Sequence, residues 1–353
     1  MSFDRFLQND ADWIAGVGDR ADVVISSRVR LARNIAGIHF GEKATPEMRE
    51  RVLEAGRRIL AESRSFRGGE FFLFSDLAPL QREIFVERHM VSPACAEKFE
   101  HVGLLVGASE IVSGVLNEED HLRLQAIRGG FMPRETWHVI RSIDNEIEEI
   151  LSYCYSKRWG YLAACPTNTG TGMRASVLIH LPGLVLTREI GKVLRGVGRA
   201  KLVVRGFYGE GTEVMGNLFQ ISNQRTLGIS EERLIEQLER VTLQVLGHEM
   251  KAREAMLSRR NRVMLQDKIW RGIGQLKSAR LMTSKEVINM SSVVRLGISL
   301  GLVEGLELRT LNEIMLLSQP AHLQMVATRE LASEERDERR AMLVREKLAG
   351  FQL

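Results

Sequence analysis

The sequence predicts an α+β fold, a mixed and mainly antiparallel sheet flanked by helices and followed by an all-helical C-terminal domain. Three observations carry this. From about Val23 to Val204, short β-like runs alternate with longer amphipathic segments, without the regular strand-helix-strand period of a parallel fold. After Ile229, β-branched runs give way to Leu, Met, Glu, Arg and Lys at helical spacing. At 353 residues, 44% hydrophobic and 27% charged, the chain is long enough for one large domain and a smaller one.

The expected strands are Val23 to Arg30, Glu110 to Leu116, Tyr161 to Ala164, Ser176 to Leu181, Lys201 to Arg205 and Leu218 to Ser222, with helices at Pro46 to Ser63 and Thr136 to Ser156. Farther on, Thr283 with Glu286 and Thr310 with Glu313 read as capping boxes, the hydroxyl taking one orphan amide and the carboxylate another. Ser333 reads as the cap of a last helix opening with Glu334 and Glu335, acids suited to a first turn. A Lys/Arg-rich stretch near 255 divides the chain into domains 1–255 and 256–353.

Several function classes are excluded by composition. No apolar run approaches a bilayer-spanning length, and the N-terminus (MSFDRFLQND) carries acids where a secretory signal would be basic and then apolar, so a cytoplasmic protein without a membrane partner is expected. Cys95, Cys154 and Cys165 are too unevenly spaced for a disulfide framework or a zinc site. The net charge of +4 is too small for a dedicated nucleic-acid binder.

Four segments carry chemistry. In Ser26-Ser27-Arg28-Val29-Arg30, strand alternation puts Arg28 and Arg30 on one face, two guanidinium forks suited to a polyphosphate. Taken alone, the pair reads more readily as a solvated strand face, since arginine pairs are common. In Asn117-Glu118-Glu119-Asp120-His121-Leu122-Arg123, an extended run places Glu119 and Arg123 on one face; an acidic turn is the bland alternative. The loop Cys165-Pro166-Thr167-Asn168-Thr169-Gly170-Thr171-Gly172-Met173-Arg174 lets a backbone approach a ligand closely, beside a thiol and an arginine. Arg205-Gly206-Phe207-Tyr208-Gly209-Glu210 adds another arginine and another carboxylate. Together they call for a polyanion and a cation bound side by side.

In this order the four segments resemble the catalytic signature of the phosphagen (guanidino) kinases, over roughly residues 20 to 255. The resemblance implies that Arg28, Arg30, Arg123, Arg174 and Arg205 hold the phosphates of ATP carrying Mg²⁺. Ser26, Ser27 and Val29, the backbone of Arg174, Ala175, Ser176, Val177 and Leu178, and the backbone from Arg205 through Gly206, Phe207, Tyr208 and Gly209 to Glu210 would line the nucleotide. It implies Glu119 and Glu210 as the carboxylates holding the acceptor guanidinium, with Cys165 beside it. A guanidinium stays protonated up to about pH 12, so it must be oriented and relieved of a proton before it attacks, and Glu119 is taken as the base. Leu178 stands where the family often has a histidine near the adenine; His89 is a candidate for that contact.

In the small-molecule members about a hundred helical residues precede the first motif, whereas here about a hundred helical residues follow the catalytic part. That layout is similar to the bacterial protein-arginine kinases of the McsB type. It implies acceptor arginines on proteins and a phosphoarginine-binding, allosteric motif at Arg336, Asp337, Glu338, Arg339, Arg340 and Ala341 that links protomers of a homodimer or higher oligomer. A heat-shock repressor, a zinc-binding activator and a Clp-type protease are the partners implied, in stress response and degradation marking. A kinase for free arginine or another small guanidine is the alternative, and a non-catalytic nucleotide-binding regulator a third.

Overall fold

The computed structural model describes residues 3–7, 11–206, 215–327 and 329–352. Phe207, Tyr208, Gly209 and Glu210 therefore lie outside the described residues. Ten strands are described: β1 (Val24–Arg33), β2 (Glu70–Leu73), β3 (Gly103–Val106), β4 (Val112–Leu116), β5 (Leu122–Gly129), β6 (Tyr155–Ser156), β7 (Gly160–Tyr161), β8 (Met173–His180), β9 (Leu202–Gly206) and β10 (Leu218–Asn223). Eight form one sheet in the order β2-β3-β4-β5-β1-β8-β10-β9, with every neighbouring pair antiparallel, while β6 and β7 make a separate hairpin. The mainly antiparallel α+β reading holds.

The helices within this part are α1 (Pro46–Glu62), α2 (Pro79–Glu87), α3 (Pro93–Glu97), α4 (Pro133–Ile150), α5 (Pro182–Leu186), α6 (Ile190–Arg199) and α7 (Glu231–Met256). Thr45 caps α1, its hydroxyl accepting from Met48 N at 3.3 Å with Pro46 preset for the first turn. One face of the sheet is apolar because alternation in β1 and β8 sends Val29, Leu31, Ala175 and Val177 the same way. They are fully buried in one cluster with Ile140, Ile143 and Ile147 of α4 and Leu234 and Leu238 of α7. Each such side chain contributes about 1.5–3 kcal/mol, so Val177→Asp would break this face. Alternation leaves the other face to the polar residues of the same strands.

Beyond α7 the chain is helical: α8 (Arg259–Ser278), α9 (Ser284–Ser299), α10 (Leu308–Leu317), α11 (Pro320–Val326) and α12 (Ser333–Lys347). These helices bury their own core, with Ile269, Ile273, Val287, Ile314 and Val344 at its centre. They also close one end of the polar sheet face, where Ile288, Met315 and Leu316 pack with Trp13, Ile127 and Leu178. Among the described residues, no helix is long and apolar enough to cross a membrane.

Several expectations need correction. Four strands, β2, β3, β5 and β6, were not expected. The helix expected over Thr136 to Ser156 starts at Pro133 and stops at Ile150, because Cys154 N donates to Asn34 O and Ser152 O accepts from Ala36 N, which draws that stretch alongside the end of β1. The strand expected at Tyr161 to Ala164 ends at Tyr161, since Ala164 N is captured by the Asp120 carboxylate at 2.6 Å. The Thr283–Glu286 capping box forms with both bonds. Thr310, by contrast, lies inside α10, and Glu313 instead receives Arg309 Nε at 2.9 Å and Lys347 Nζ at 2.6 Å. Ser333 is the first helical residue of α12, and Ala332 is its cap, with Ala332 N donating to Glu335 at 2.8 Å.

Candidate functional site

Register assembles the arginines. Arg30 of β1 sits opposite Arg174 of β8 and Gln125 of β5, Arg28 opposite Ser176 and Ile127, and Ala32 opposite Arg123. Arg205 of β9 is opposite Gln220, which is opposite Leu178. Since cross-strand partners share a face, Arg28, Arg30, Arg123, Arg174 and Arg205 all stand on the polar side, together with Ser26, Ser176 and Leu178. These residues come from four strands spread over about a hundred and eighty positions of sequence.

The cost of gathering them is visible in their protonation equilibria. Burial, then Arg123 and Arg174, lowers the Arg28 guanidinium to about 10. Burial, then Arg28, Arg123 and Arg174, lowers Arg30 well below the ordinary range, and the Glu118 carboxylate offsets this only in part. Neither guanidinium has an ion pair among the described residues. Like charges held half-buried at this density destabilise the protein unless an anion joins them, which is the electrostatic form of a polyphosphate site.

Ser27, Val29, Ala175 and Val177 point the other way. Ser27 Oγ donates to Gly130 O at 2.9 Å and accepts from Met132 N at 2.9 Å, and the three apolar side chains are core. At Ala175 and Val177 this leaves the backbone, which is the contact the resemblance implies. Ser26, Arg28, His89, Ile127, Ser176, Leu178 and Gln220 line a small cleft at the end of the face. His89 enters it from a left-handed position (φ 61°), its ring 5.4 Å from that of Trp13. Burial and the Arg28 charge lower this imidazole to about 3, so it is neutral.

The acidic segment is a turn between β4 and β5, with Asn117 at φ 58° and Asn117 N donating to His121 O at 3.0 Å. The shared face expected for Glu119 and Arg123 does not form. Arg123 pairs instead with Glu118, whose carboxylate also accepts from Ser92 Oγ at 2.6 Å. Glu119 is exposed and makes no hydrogen bond among the described residues. It lines two cavities: one of about 230 Å³ with Arg30, Arg123 and Arg174, and one of about 870 Å³ that opens outward past Phe40, Lys43, Lys98 and Cys165.

Asp120 is the residue that sequence reasoning missed. It is 4% exposed, and its carboxylate takes Asn34 Nδ2 at 2.7 Å, Ala164 N at 2.6 Å and Asn168 Nδ2 at 3.4 Å. It thereby ties the cysteine loop to the turn bearing Glu119. Cys165 Sγ lies 3.0 Å from Thr167 Oγ1, half-buried on the wall of the outer cavity. Gly172, at φ 62°, lets the loop cross the end of β1; a Cβ there would fall 2.5 Å from Ala32 O.

The C-terminal motif lies on α12. Arg340, expected to meet an anion, is 2% exposed: Nε donates to Ser318 O and Nη1 to Met282 O, each at 2.8 Å, and Nη1 also meets Asp337. Ala341 is buried in the helical core. Arg336 is half-buried and holds Leu331 O at 2.9 Å, while Glu338 is exposed and Arg339 half-exposed.

Residues 51–252 match the family ATP:guanido phosphotransferase, C-terminal catalytic domain, and residues 262–352 match the protein-arginine kinase McsB C-terminal domain. Arg28 and Arg30 precede the first match. The protein-arginine kinase of Moorella thermoacetica is 43% identical over 347 residues, covering 98% of this chain and 99% of that one. That of Bacillus subtilis is 42% identical over 351 residues, covering 99% and 96%. Among solved structures, lombricine kinase superposes with a TM-score of 0.58 at 25% identity, covering 67% of this chain and 68% of that one. The duplicated taurocyamine kinase of Schistosoma mansoni gives 0.58 at 24%, over 71% and 36%.

Proposed function

The chain belongs to the protein-arginine kinases of the ATP:guanido phosphotransferase family, and from that premise we propose how its residues divide the transfer of a phosphoryl group from ATP to arginine side chains of proteins. Arg28, Arg30, Arg123, Arg174 and Arg205 receive the phosphates. Magnesium arrives bound to the nucleotide, as part of the substrate, and shares in neutralising them. The acceptor guanidinium enters through the outer cavity and meets Glu119, which orients it and takes one proton. The freed nitrogen attacks in line: an N–P bond forms as the bond to the ADP oxygen breaks, and the arginines stabilise the charge on the equatorial oxygens. Glu210, placed by sequence alone, is the second carboxylate on the guanidinium, and Cys165 lies beside it.

The observation that carries this reading is the position of Glu119 on the wall common to the arginine-lined cavity and the open one. An outer cavity of about 870 Å³ accommodates a polypeptide bearing the arginine. Incubation with ATP, Mg²⁺ and an unfolded protein, followed by mass spectrometry that preserves acid-labile P–N bonds, tests it. Phosphoarginine on the protein supports the reading, and phosphorylation of free arginine alone refutes it.

The regulatory features are carried by resemblance: product binding on α12 that alters activity, association of protomers, a heat-shock repressor, a zinc-binding activator and a Clp-type protease as partners, and a place in stress response. Geometry favours Arg336 and Asp337 as the ligand contacts there, with Arg340 as the strut behind them.

A further inference from the structure

The outer cavity is asymmetric in charge, and its asymmetry bears on which arginines are modified. Among the described residues its basic side chains are Lys43, Arg49 and Lys98. Both Lys43 and Lys98 are exposed, and neither makes an ion pair among the described residues. Arg49 donates to Gly41 O at 3.0 Å and so holds the loop that carries Lys43. The acids on the same walls are Glu118, which Arg123 and Ser92 occupy, and Glu119, which faces the acceptor. A peptide entering this cavity therefore places its target arginine against a carboxylate and its flanking residues against cations.

We propose that the cations of the outer cavity select acceptor arginines with acidic neighbours and disfavour arginines with basic ones. The inference rests on the reading of this cavity as the acceptor entrance. The physics is local. A flanking carboxylate within a few ångströms of Lys43 or Lys98 gains an attraction, whereas a flanking lysine meets repulsion and leaves the catalytic carboxylate for the one cation in register with it. Because both lysines are exposed, each contributes modestly, and the effect is screened by salt.

The test uses the full chain with ATP and Mg²⁺ and three peptides of equal length, each with one arginine flanked on both sides by Asp, by Ser or by Lys. The expected order of kcat/KM is Asp, then Ser, then Lys, with roughly three- to tenfold between the extremes at low salt, shrinking as salt is raised. In the double variant Lys43→Glu, Lys98→Glu the ratio of Asp to Lys peptides inverts; reading a ratio removes any general loss of activity. Equal rates on the three peptides, or a faster Lys peptide, overturn the inference in the wild-type chain alone. Phosphorylation of free arginine with none on any peptide overturns the functional reading beneath it.

Discussion

Glu118, and not Glu119, holds Arg123: its carboxylate bridges that guanidinium and the Ser92 hydroxyl, and so anchors one corner of the polar sheet face. Two adjacent glutamates thus have opposite duties. Glu118→Gln weakens the anchor without touching the acceptor, so the expected result is a several-fold rise in the dissociation constant for ATP, about 1 kcal/mol for a charge-assisted bond reduced to a neutral one. Titration of nucleotide into the variant checks it. An unchanged affinity would show that Arg123 does not need this partner.

Arg28→Ala and Arg174→Ala remove cations from the crowded face, and both should weaken ATP binding by ten- to a hundredfold, on the order of 1.4–2.7 kcal/mol. Without nucleotide the same changes relieve repulsion, since burial, then Arg123 and Arg174, lowers Arg28, and burial, then Arg28, Arg123 and Arg174, lowers Arg30. Thermal unfolding of the unliganded variants should therefore occur at a temperature equal to or above that of the wild type. A weaker unliganded protein with normal ATP affinity would assign these arginines to structure.

Asp120 positions the cysteine loop, so Asp120→Asn should change thiol chemistry as well as rate. In the wild type, Cys165 should be labelled faster than Cys95, which is buried and whose thiol is pushed up to about 12 by burial and then Glu118. ATP with an arginine substrate should protect Cys165. In Asp120→Asn that protection should fall together with kcat, while Cys95 labelling stays slow. Full protection with normal kcat would remove Asp120 from the site.

Histidine protonation sets an acid limit. Burial, then Arg28, lowers His89 to about 3, and burial, then Arg253 and Arg295, lowers His180 well below its ordinary 6.5. Below about pH 6.5 the unfolded chain binds protons that the folded chain refuses, so the stability these groups leave intact at neutral pH is lost as pH falls from about 6.5 toward the folded value. Denaturant midpoints measured at pH 7.5 and 5 should differ less in His89→Gln than in wild type. An equal difference in both would mean His89 titrates normally.

The arginine face was legible because alternation is a local rule: Arg28 and Arg30 two apart, with Val29 between them, fix their faces once a strand is assumed. The capping box at Thr283 was legible for the same reason. What escaped was set at long range. Asp120 reaches Ala164 and Asn34, positions 44 and 86 residues away in sequence, and no spacing rule connects them. The same holds for Arg340, whose two backbone acceptors at Met282 and Ser318 turn a residue that reads as a ligand contact into a strut. β3, a four-residue run buried on both faces, gives no alternation to read.

The central claim is that Glu119 acts on the acceptor guanidinium and not on the nucleotide. The most direct measurement compares wild type and Glu119→Gln for ATP affinity and for the rate of phosphoarginine formation on one protein substrate. The result expected is an unchanged dissociation constant for ATP with a fall in kcat of about a hundred- to ten-thousandfold, the usual worth of a positioned base. Near-normal kcat, or a loss of ATP binding that accounts for the whole defect, would contradict the assignment.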